Sequence, residues 1–128
     1  MKRFAALLDA LVFMPSRNGK LRLMEEYFRE VPDPDRGWGL AALTGGLTFA
    51  HAKPALVRGL VGARVDPVLF DWSYDFVGDL AETVALIWPE RPGANRPPSL
   101  GEVVDGLRSA GRTELPSMVE RWLDALDS

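Results

Sequence analysis

Proline recurs at the points where the apolar segments of this chain begin. Asp33-Pro34, Lys53-Pro54 and Asp66-Pro67 each place a proline just before an apolar segment. Proline is favoured in the first turn of a helix because it has no backbone N–H to satisfy, and a preceding aspartate can cap that helix. The pattern therefore predicts an all-α fold, a compact bundle of about six to eight short helices.

Apolar residues at helical spacing between these breaks set the expected bounds of the helices. We expect seven helices, over residues 2–13, 16–30, 34–43, 53–61, 66–88 with a break at Gly78-Asp79, 99–110 and 115–126. Three prolines and a glycine predict a loop over residues 90–98, between core helices in residues 1–89 and C-terminal helices in residues 99–128. Ser99 and Glu102 have the spacing of a capping box. The 128 residues suffice for a single helical domain or a domain fragment.

The stretch from Pro15 to Phe28 joins a polar, basic turn to an amphipathic helix. Pro15 ends the preceding helix, and Ser16 can cap the next one through its hydroxyl. The apolar residues of the predicted buried face are Leu21, Met24, Phe28 and Val31. Arg17 and Lys20 project on that face one turn earlier, at a helix N-terminus, where cations are unfavourable and anions bind readily. We therefore hypothesise that Arg17 and Lys20 contact a phosphate.

Charge is distributed unevenly along the sequence, although the net charge is only −3. Residues 1–64 hold ten Lys or Arg against six Asp or Glu, whereas residues 65–90 hold six acids and no base. The negative total argues against a general nucleic-acid binder. The distribution instead predicts one positive half that faces a polyanion and one half that repels it.

Further cations join Arg17 and Lys20 as candidate phosphate contacts. They are Arg22, Lys53 and Arg58. Phosphate binding needs cations near backbone donors, and the helix start after Ser16 and the glycine turn at residues 44–46 would supply such donors. The alternative is that these cations form ordinary surface ion pairs with Glu25, Glu26 or the acidic segment, and the residues alone favour neither.

Patterns for catalysis or metal binding are few in this sequence. The absence of Cys excludes disulfides, thiolate chemistry and cysteine-ligated zinc. We interpret His51 as a polar loop residue rather than a general base. The four acids Asp71, Asp75, Asp79 and Glu82 lie at helical spacing, and we favour a solvated face with a helix cap over a magnesium site. We predict no catalytic residue, no metal and no cofactor for this chain itself.

The N-terminal segment superficially resembles a signal peptide, with basic residues followed by the apolar segment Phe4–Met14. Asp9 interrupts that segment and no small-residue cleavage pattern follows, so we interpret it as a helix. No segment approaches the roughly 18 apolar residues of a membrane span. We expect a cytoplasmic, monomeric protein without membrane contact.

Three segments of the chain share a further combination of features. They are Pro15–Leu23 followed by Tyr27-Phe28, then Pro32–Gly46, and later Tyr74–Glu82, and they contain Ser-Arg-x-x-Lys and Gly-Asp-Leu-Ala motifs. In this order they resemble the N-terminal helical domain of bacterial ATP-dependent DNA ligases. The resemblance covers roughly residues 1–90, and the remainder more loosely. It implies an all-α domain that binds duplex DNA around a nick through phosphate and minor-groove contacts, without reading sequence, in DNA repair, replication and recombination.

Together with the candidate phosphate contacts given above, the resemblance leads us to predict which residues contact DNA. They are Ser16, Arg17, Lys20, Arg22, Thr44, Gly45, Gly46, Lys53, Arg58 and Gly78. Arg17 and Lys20 would hold backbone phosphate, while the turns Thr44–Gly46 and Gly78–Asp79 would bring main-chain donors close to the DNA.

Ligases of this family adenylate a lysine in a Lys-x-Asp-Gly motif, and no lysine of this chain is followed by that pattern. The chain is therefore expected to be non-catalytic by itself, with ATP and magnesium used by the parent ligase. Its expected partners are nicked duplex DNA and the remaining ligase domains. Residues 122–128 resemble the beginning of a second helical repeat, so we expect a fragment of the domain.

Two other functions fit the residues less closely. A helical protein-interaction module would dock through residues 65–90, and it predicts an exposed patch that contains Phe70, Trp72 or Phe76. A helix-turn-helix regulator would need a recognition helix with Arg, Asn and Gln on one exposed face, and the sequence has no such helix.

Overall fold

The structure is a computed structural model that describes residues 1–91 and 96–126. Within these residues it contains eight α-helices and no strand, which confirms the all-α prediction. The helices are α1 (Lys2–Phe13), α2 (Arg17–Glu30), α3 (Asp35–Leu43), α4 (Pro54–Gly62), α5 (Pro67–Val77), α6 (Leu80–Ile87), α7 (Leu100–Ser109) and α8 (Leu115–Ala125). None of these described helices has both the length and the apolar character that crossing a membrane requires.

Side-chain caps start several helices where the sequence predicts them. Ser16 precedes α2, and its Oγ accepts the Gly19 N–H at 3.0 Å. Asp66 and Asp79 cap α5 and α6 in the same way, each through a carboxylate oxygen that accepts first-turn amides. Ser99 Oγ accepts the N–H of Glu102 at 3.1 Å, which confirms one half of the predicted capping box. Local side-chain chemistry therefore fixes these helix starts.

The start of α3 differs from the prediction. Pro34 is the residue that flanks α3 rather than its first helical residue, the Asp33–Pro34 peptide bond is cis, and no side chain caps the helix. The next carboxylate, Asp35, has a different role, because its Oδ1 accepts the N–H of Gly101 at 2.8 Å. This bond joins the beginning of α3 to the beginning of α7.

The chain groups into two compact units, each made of two separate stretches. The first unit comprises Met1–Thr48 and Pro98–Asp105, and the second comprises Phe49–Pro97 and Gly106–Ser128. The division therefore differs from the predicted one at residues 90–98, because each unit takes residues from both sides of that loop. Residues 92–95 of the predicted loop lie outside the described residues, and the described remainder of the loop is not helical.

The first unit buries the side of α2 that carries Tyr27, which is only 2% exposed. Its ring lies 5.9 Å from that of Phe4, and its hydroxyl donates to the carbonyl of Asp35 at 3.4 Å. Burial raises the pKa of Tyr27, and the charge of Asp35 raises it further.

The predicted buried face of α2 is confirmed in part. Val31 is 8% exposed, and Met24 and Phe28 are half-buried. Leu21 is 50% exposed, so the prediction is wrong at that residue, and it does not include the buried Tyr27.

The second unit has its own apolar core. Val61, Phe70 and Val84 of α4, α5 and α6 are buried together in it. The partly buried residues around them are Val57, Val65, Tyr74, Leu80, Ile87 and Trp88. Helix α8 also packs against α4 within this unit.

Candidate nucleic-acid interface

The first turn of α2 is shaped by the short connection that follows α1. A Cβ at Gly19 would lie 2.3 Å from Sδ of Met14 and 2.7 Å from Oγ of Ser16. A larger residue at this position would require the side chains of Met14 and Ser16 to shift. The absence of a side chain at Gly19 therefore leaves room for both of them against the first turn of α2.

Two backbone donors remain available at this helix start. The Gly19 N–H donates to the Ser16 hydroxyl, and the Lys20 N–H donates to the Ser16 carbonyl at 3.1 Å. The N–H groups of Arg17 and Asn18 lie in the first turn of α2, where no carbonyl of the helix can accept them. The described part of the chain supplies no other partner for them. These two groups are therefore free to donate to a ligand.

Three cations lie in the first two turns of α2. Arg17, Lys20 and Arg22 are exposed, and none of them forms an ion pair with another described residue. The expected alternative partner Glu25 instead binds Arg29 within the same helix, at 2.5 Å. Among the described residues, the ion-pair alternative is therefore wrong for these three cations.

The order of charges along α2 opposes the preference of its helix dipole. The first turn contains Arg17 and Lys20 and no acid, while the three acids of α2 all lie in its second half. A cation near a helix N-terminus is disfavoured by roughly 0.3–1 kcal/mol, and a bound anion reverses the sign of the local interaction. The start of α2 is therefore electrostatically suited to an anionic group.

The turn Thr44–Gly46 does not present backbone donors. The N–H groups of Thr44, Gly45 and Gly46 donate to carbonyls of α3, at 3.0, 3.3 and 2.7 Å. The Thr44 hydroxyl also donates to α3 carbonyls, and Gly45 has a φ of 74°. These bonds form a Schellman motif that ends α3. The expectation that this turn offers main-chain donors to DNA is wrong, because the same amides terminate the helix.

Gly78 has the same role at the end of α5. Its N–H donates to the carbonyl of Tyr74 at 2.8 Å, and its φ of 84° ends the helix. The adjacent carboxylate of Asp79 already accepts the N–H of Glu82 at 2.9 Å. The Gly78 N–H is therefore not available to DNA, whereas a contact through the rest of the Gly78–Asp79 turn stays a prediction.

Lys53 and Arg58 belong to the second unit. Lys53 is exposed, directly precedes Pro54 of α4, and has no carboxylate partner among the described residues. The guanidinium carbon of Arg58 lies 4.9 Å from the centre of the Tyr74 ring, a cation–π contact. Seven of the predicted DNA-binding residues thus belong to the first unit and three to the second.

The charge asymmetry of the sequence does not become an asymmetry between the units. The first unit contains seven Lys or Arg and eight Asp or Glu, and the second contains eight Lys or Arg and ten Asp or Glu. The prediction of a positive half is therefore wrong at the scale of a unit, because residues 98–105 and the acids of residues 1–48 offset the bases. The positive character of the first unit is local, at the start of α2.

Sequence reasoning anticipated backbone donors at the helix start after Ser16, but it missed the packing role of Gly19. It anticipated an exposed aromatic patch only under the protein-interaction alternative. Trp72 is 73% exposed and Phe76 is 93% exposed, whereas Phe70 is buried. That expectation is confirmed for two of its three residues. His51 is an exposed residue of the segment between α3 and α4, as predicted.

Comparisons of this chain with protein-family models, with curated proteins and with solved structures found no match. A functional proposal therefore depends on the residues and on the geometry described above.

Proposed function

We propose that this chain binds the sugar-phosphate backbone of nicked duplex DNA, as the N-terminal DNA-binding part of an ATP-dependent DNA ligase that acts in repair. One observation carries the DNA-binding part of this proposal. Arg17, Lys20 and Arg22 are exposed cations that form no ion pair with any described residue, at the start of a capped helix with two amides free of described partners. The ligase attribution depends on the order of the three segments that resemble that family.

The geometry of α2 suggests how each group acts. The Arg17 guanidinium can donate two parallel hydrogen bonds to one phosphate, while the amides of Arg17 and Asn18 donate along the helix axis. Lys20 lies one turn further and acts as a point charge. Arg22 projects about 140° from Arg17 around the helix, so it reaches a different phosphate. All of these contacts are to the backbone, which makes binding independent of base sequence.

The chain contributes binding rather than chemistry to the proposed ligase. Since no lysine lies in a Lys-x-Asp-Gly motif, adenylation with ATP and magnesium takes place in the remaining ligase domains. The exposed cations Lys53 and Arg58 of the second unit add phosphate contacts.

Fluorescence anisotropy with a labelled nicked duplex tests this proposal. We expect affinity to fall by about 10- to 100-fold between 50 and 200 mM salt, as two to four phosphate contacts would produce. Exchange of the base sequence at constant length should leave the affinity unchanged. Absence of binding at low salt would contradict DNA binding, whereas equal affinity for nicked and intact duplex would contradict only the ligase attribution.

A second function, docking of a partner protein, is favoured by the exposure of Trp72 and Phe76. This surface belongs to the second unit and shares no residue with the start of α2. The two functions are therefore compatible and can be tested separately.

A further inference from the structure

Helix α5 carries an apolar face that no described residue covers. Val68, Leu69, Trp72 and Phe76 are 56%, 53%, 73% and 93% exposed, and we refer to these four residues as the α5 face. They project within about 100° of one another around the helix. The opposite side of α5 carries Phe70, which is buried in the core of the second unit. A contiguous exposed apolar patch of this kind is typical of an interaction surface.

Carboxylates border the α5 face on one side. Asp71 and Asp75 lie one turn apart, are exposed, and project next to Val68 and Trp72. Neither forms an ion pair with another described residue. Residues 65–90 contain six acids and no base, so the segment itself offers no cation to neutralise them.

This combination of charge and apolar surface selects among possible occupants. Nucleic acids and anionic lipid surfaces are repelled by unneutralised carboxylates. A second copy of the α5 face would bring another acidic edge without any base, which makes symmetric pairing unfavourable. A basic partner with an apolar side satisfies both features.

We propose that the α5 face binds a basic amphipathic helix of a partner protein. Apolar side chains of that helix pack on Trp72 and Phe76, and its Lys or Arg residues, one turn apart, pair with Asp71 and Asp75. The exposed aromatic residues are the energetic anchors, because buried aromatic residues dominate most protein interfaces. The carboxylates give orientation and selectivity for a basic partner.

A synthetic amphipathic helix with Leu on one face and Lys on the other is a suitable probe, labelled for anisotropy. Its counterpart with Glu in place of Lys is the matched control peptide. We expect the Lys peptide to bind and the Glu peptide not to bind. Trp72→Ala and Phe76→Ala should each weaken binding by about tenfold or more. In the double variant Asp71→Asn with Asp75→Asn, binding of the Lys peptide should depend less on salt concentration.

Phe13→Ala is the control variant, because Phe13 is an equally bulky aromatic, 78% exposed, in the first unit. It should leave the affinity for the Lys peptide unchanged, and circular dichroism should show the same helix content in all variants. Failure of the Lys peptide to bind, equal binding of the Glu peptide, or equal effects of Phe13→Ala and Phe76→Ala would overturn the proposal. Sedimentation that shows self-association lost in Phe76→Ala would also overturn it, because the occupant would then be a second copy. None of these outcomes bears on DNA binding by α2.

Discussion

At the scale of single residues, Ser16 joins stability to the candidate function. Its hydroxyl accepts the Gly19 N–H and lies beside the amides of Arg17 and Asn18 that remain free. An N-cap side chain contributes about 1 kcal/mol to stability, and any charge that it carries acts directly on the helix start. Substitutions at residue 16 can therefore separate capping from anion binding.

We predict that Ser16→Asp weakens DNA binding without destabilising the protein. Asp is as good a cap as Ser and interacts favourably with the helix dipole, so the free energy of unfolding should stay equal or rise by roughly 0.3–1 kcal/mol. The added carboxylate repels a phosphate by about 1 kcal/mol, roughly fivefold in Kd. Urea denaturation and DNA anisotropy measure the two effects.

The matched control at this position is Ser16→Asn, which keeps a neutral cap. It should retain both the stability and the DNA affinity of the unmodified chain. If Ser16→Asp binds DNA as tightly as Ser16→Asn does, no phosphate lies near the start of α2.

At the scale of helices, a buried charge cluster holds α8 in the second unit. Arg64 binds Asp124 of α8 at 2.9 Å, and the Trp88 Nε1–H donates to the same carboxylate at 3.1 Å. The side chains of Arg64 and Asp124 are only 10% and 12% exposed. The hydrogen bond from Arg64 is the main cause that holds the pKa of Asp124 below its ordinary value, and the bond from Trp88 adds to it.

This cluster predicts a loss of stability in acid. Because the folded protein lowers the pKa of Asp124, the unfolded chain binds more protons as pH falls below the ordinary carboxyl value of 3.8. The stabilisation from the Asp124 carboxylate is complete above that pH, and it is lost as the pH falls through the lower pKa that Asp124 has in the folded protein. Urea denaturation across this pH range should show the loss.

Asp124→Asn tests the assignment of this pH dependence. At neutral pH it should lower the free energy of unfolding by about 1–3 kcal/mol, because Arg64 loses one charged hydrogen-bond partner but keeps its ion pair with Glu120. The difference between the two proteins should shrink below pH 3.8. Two curves that remain parallel down to low pH would show that Asp124 is not the group responsible.

Most helix bounds follow from the sequence because their causes are local. Ser16, Asp66 and Asp79 cap helices within three residues of themselves, so spacing alone finds them. The central place of Tyr27 in the first unit does not follow, since its hydroxyl bonds to the Asp35 carbonyl, which belongs to another helix. The prediction of free backbone donors at Gly45 and Gly78 has a different weakness. A sequence pattern shows that a turn exists, but it does not show which carbonyls the amides of that turn bind.

At the scale of the whole chain, the grouping into two units depends on contacts between distant residues. Asp35 accepts the Gly101 N–H across 66 positions of sequence, and this bond joins the beginning of α7 to α3 within the first unit. No local pattern reveals such a bond, so the sequence predicts a division at the proline-rich loop instead. The position of Arg17 and Lys20 at a helix start was predictable, because it follows from the local sequence of α2 alone.

The salt dependence of DNA binding tests the proposed interface most directly. The double variant Arg17→Ala with Lys20→Ala removes two cations that have no internal ion pair among the described residues. Arg3→Ala with Arg29→Ala is the matched control, since it changes the net charge equally but removes cations that already bind Glu30 and Glu25.

Anisotropy titrations of nicked duplex at several salt concentrations give the slope of log K against log salt for each protein. If Arg17 and Lys20 each neutralise one phosphate, their removal should reduce the magnitude of that slope by about two, while the control keeps the original slope. An equal slope for all three proteins would contradict phosphate binding at the start of α2.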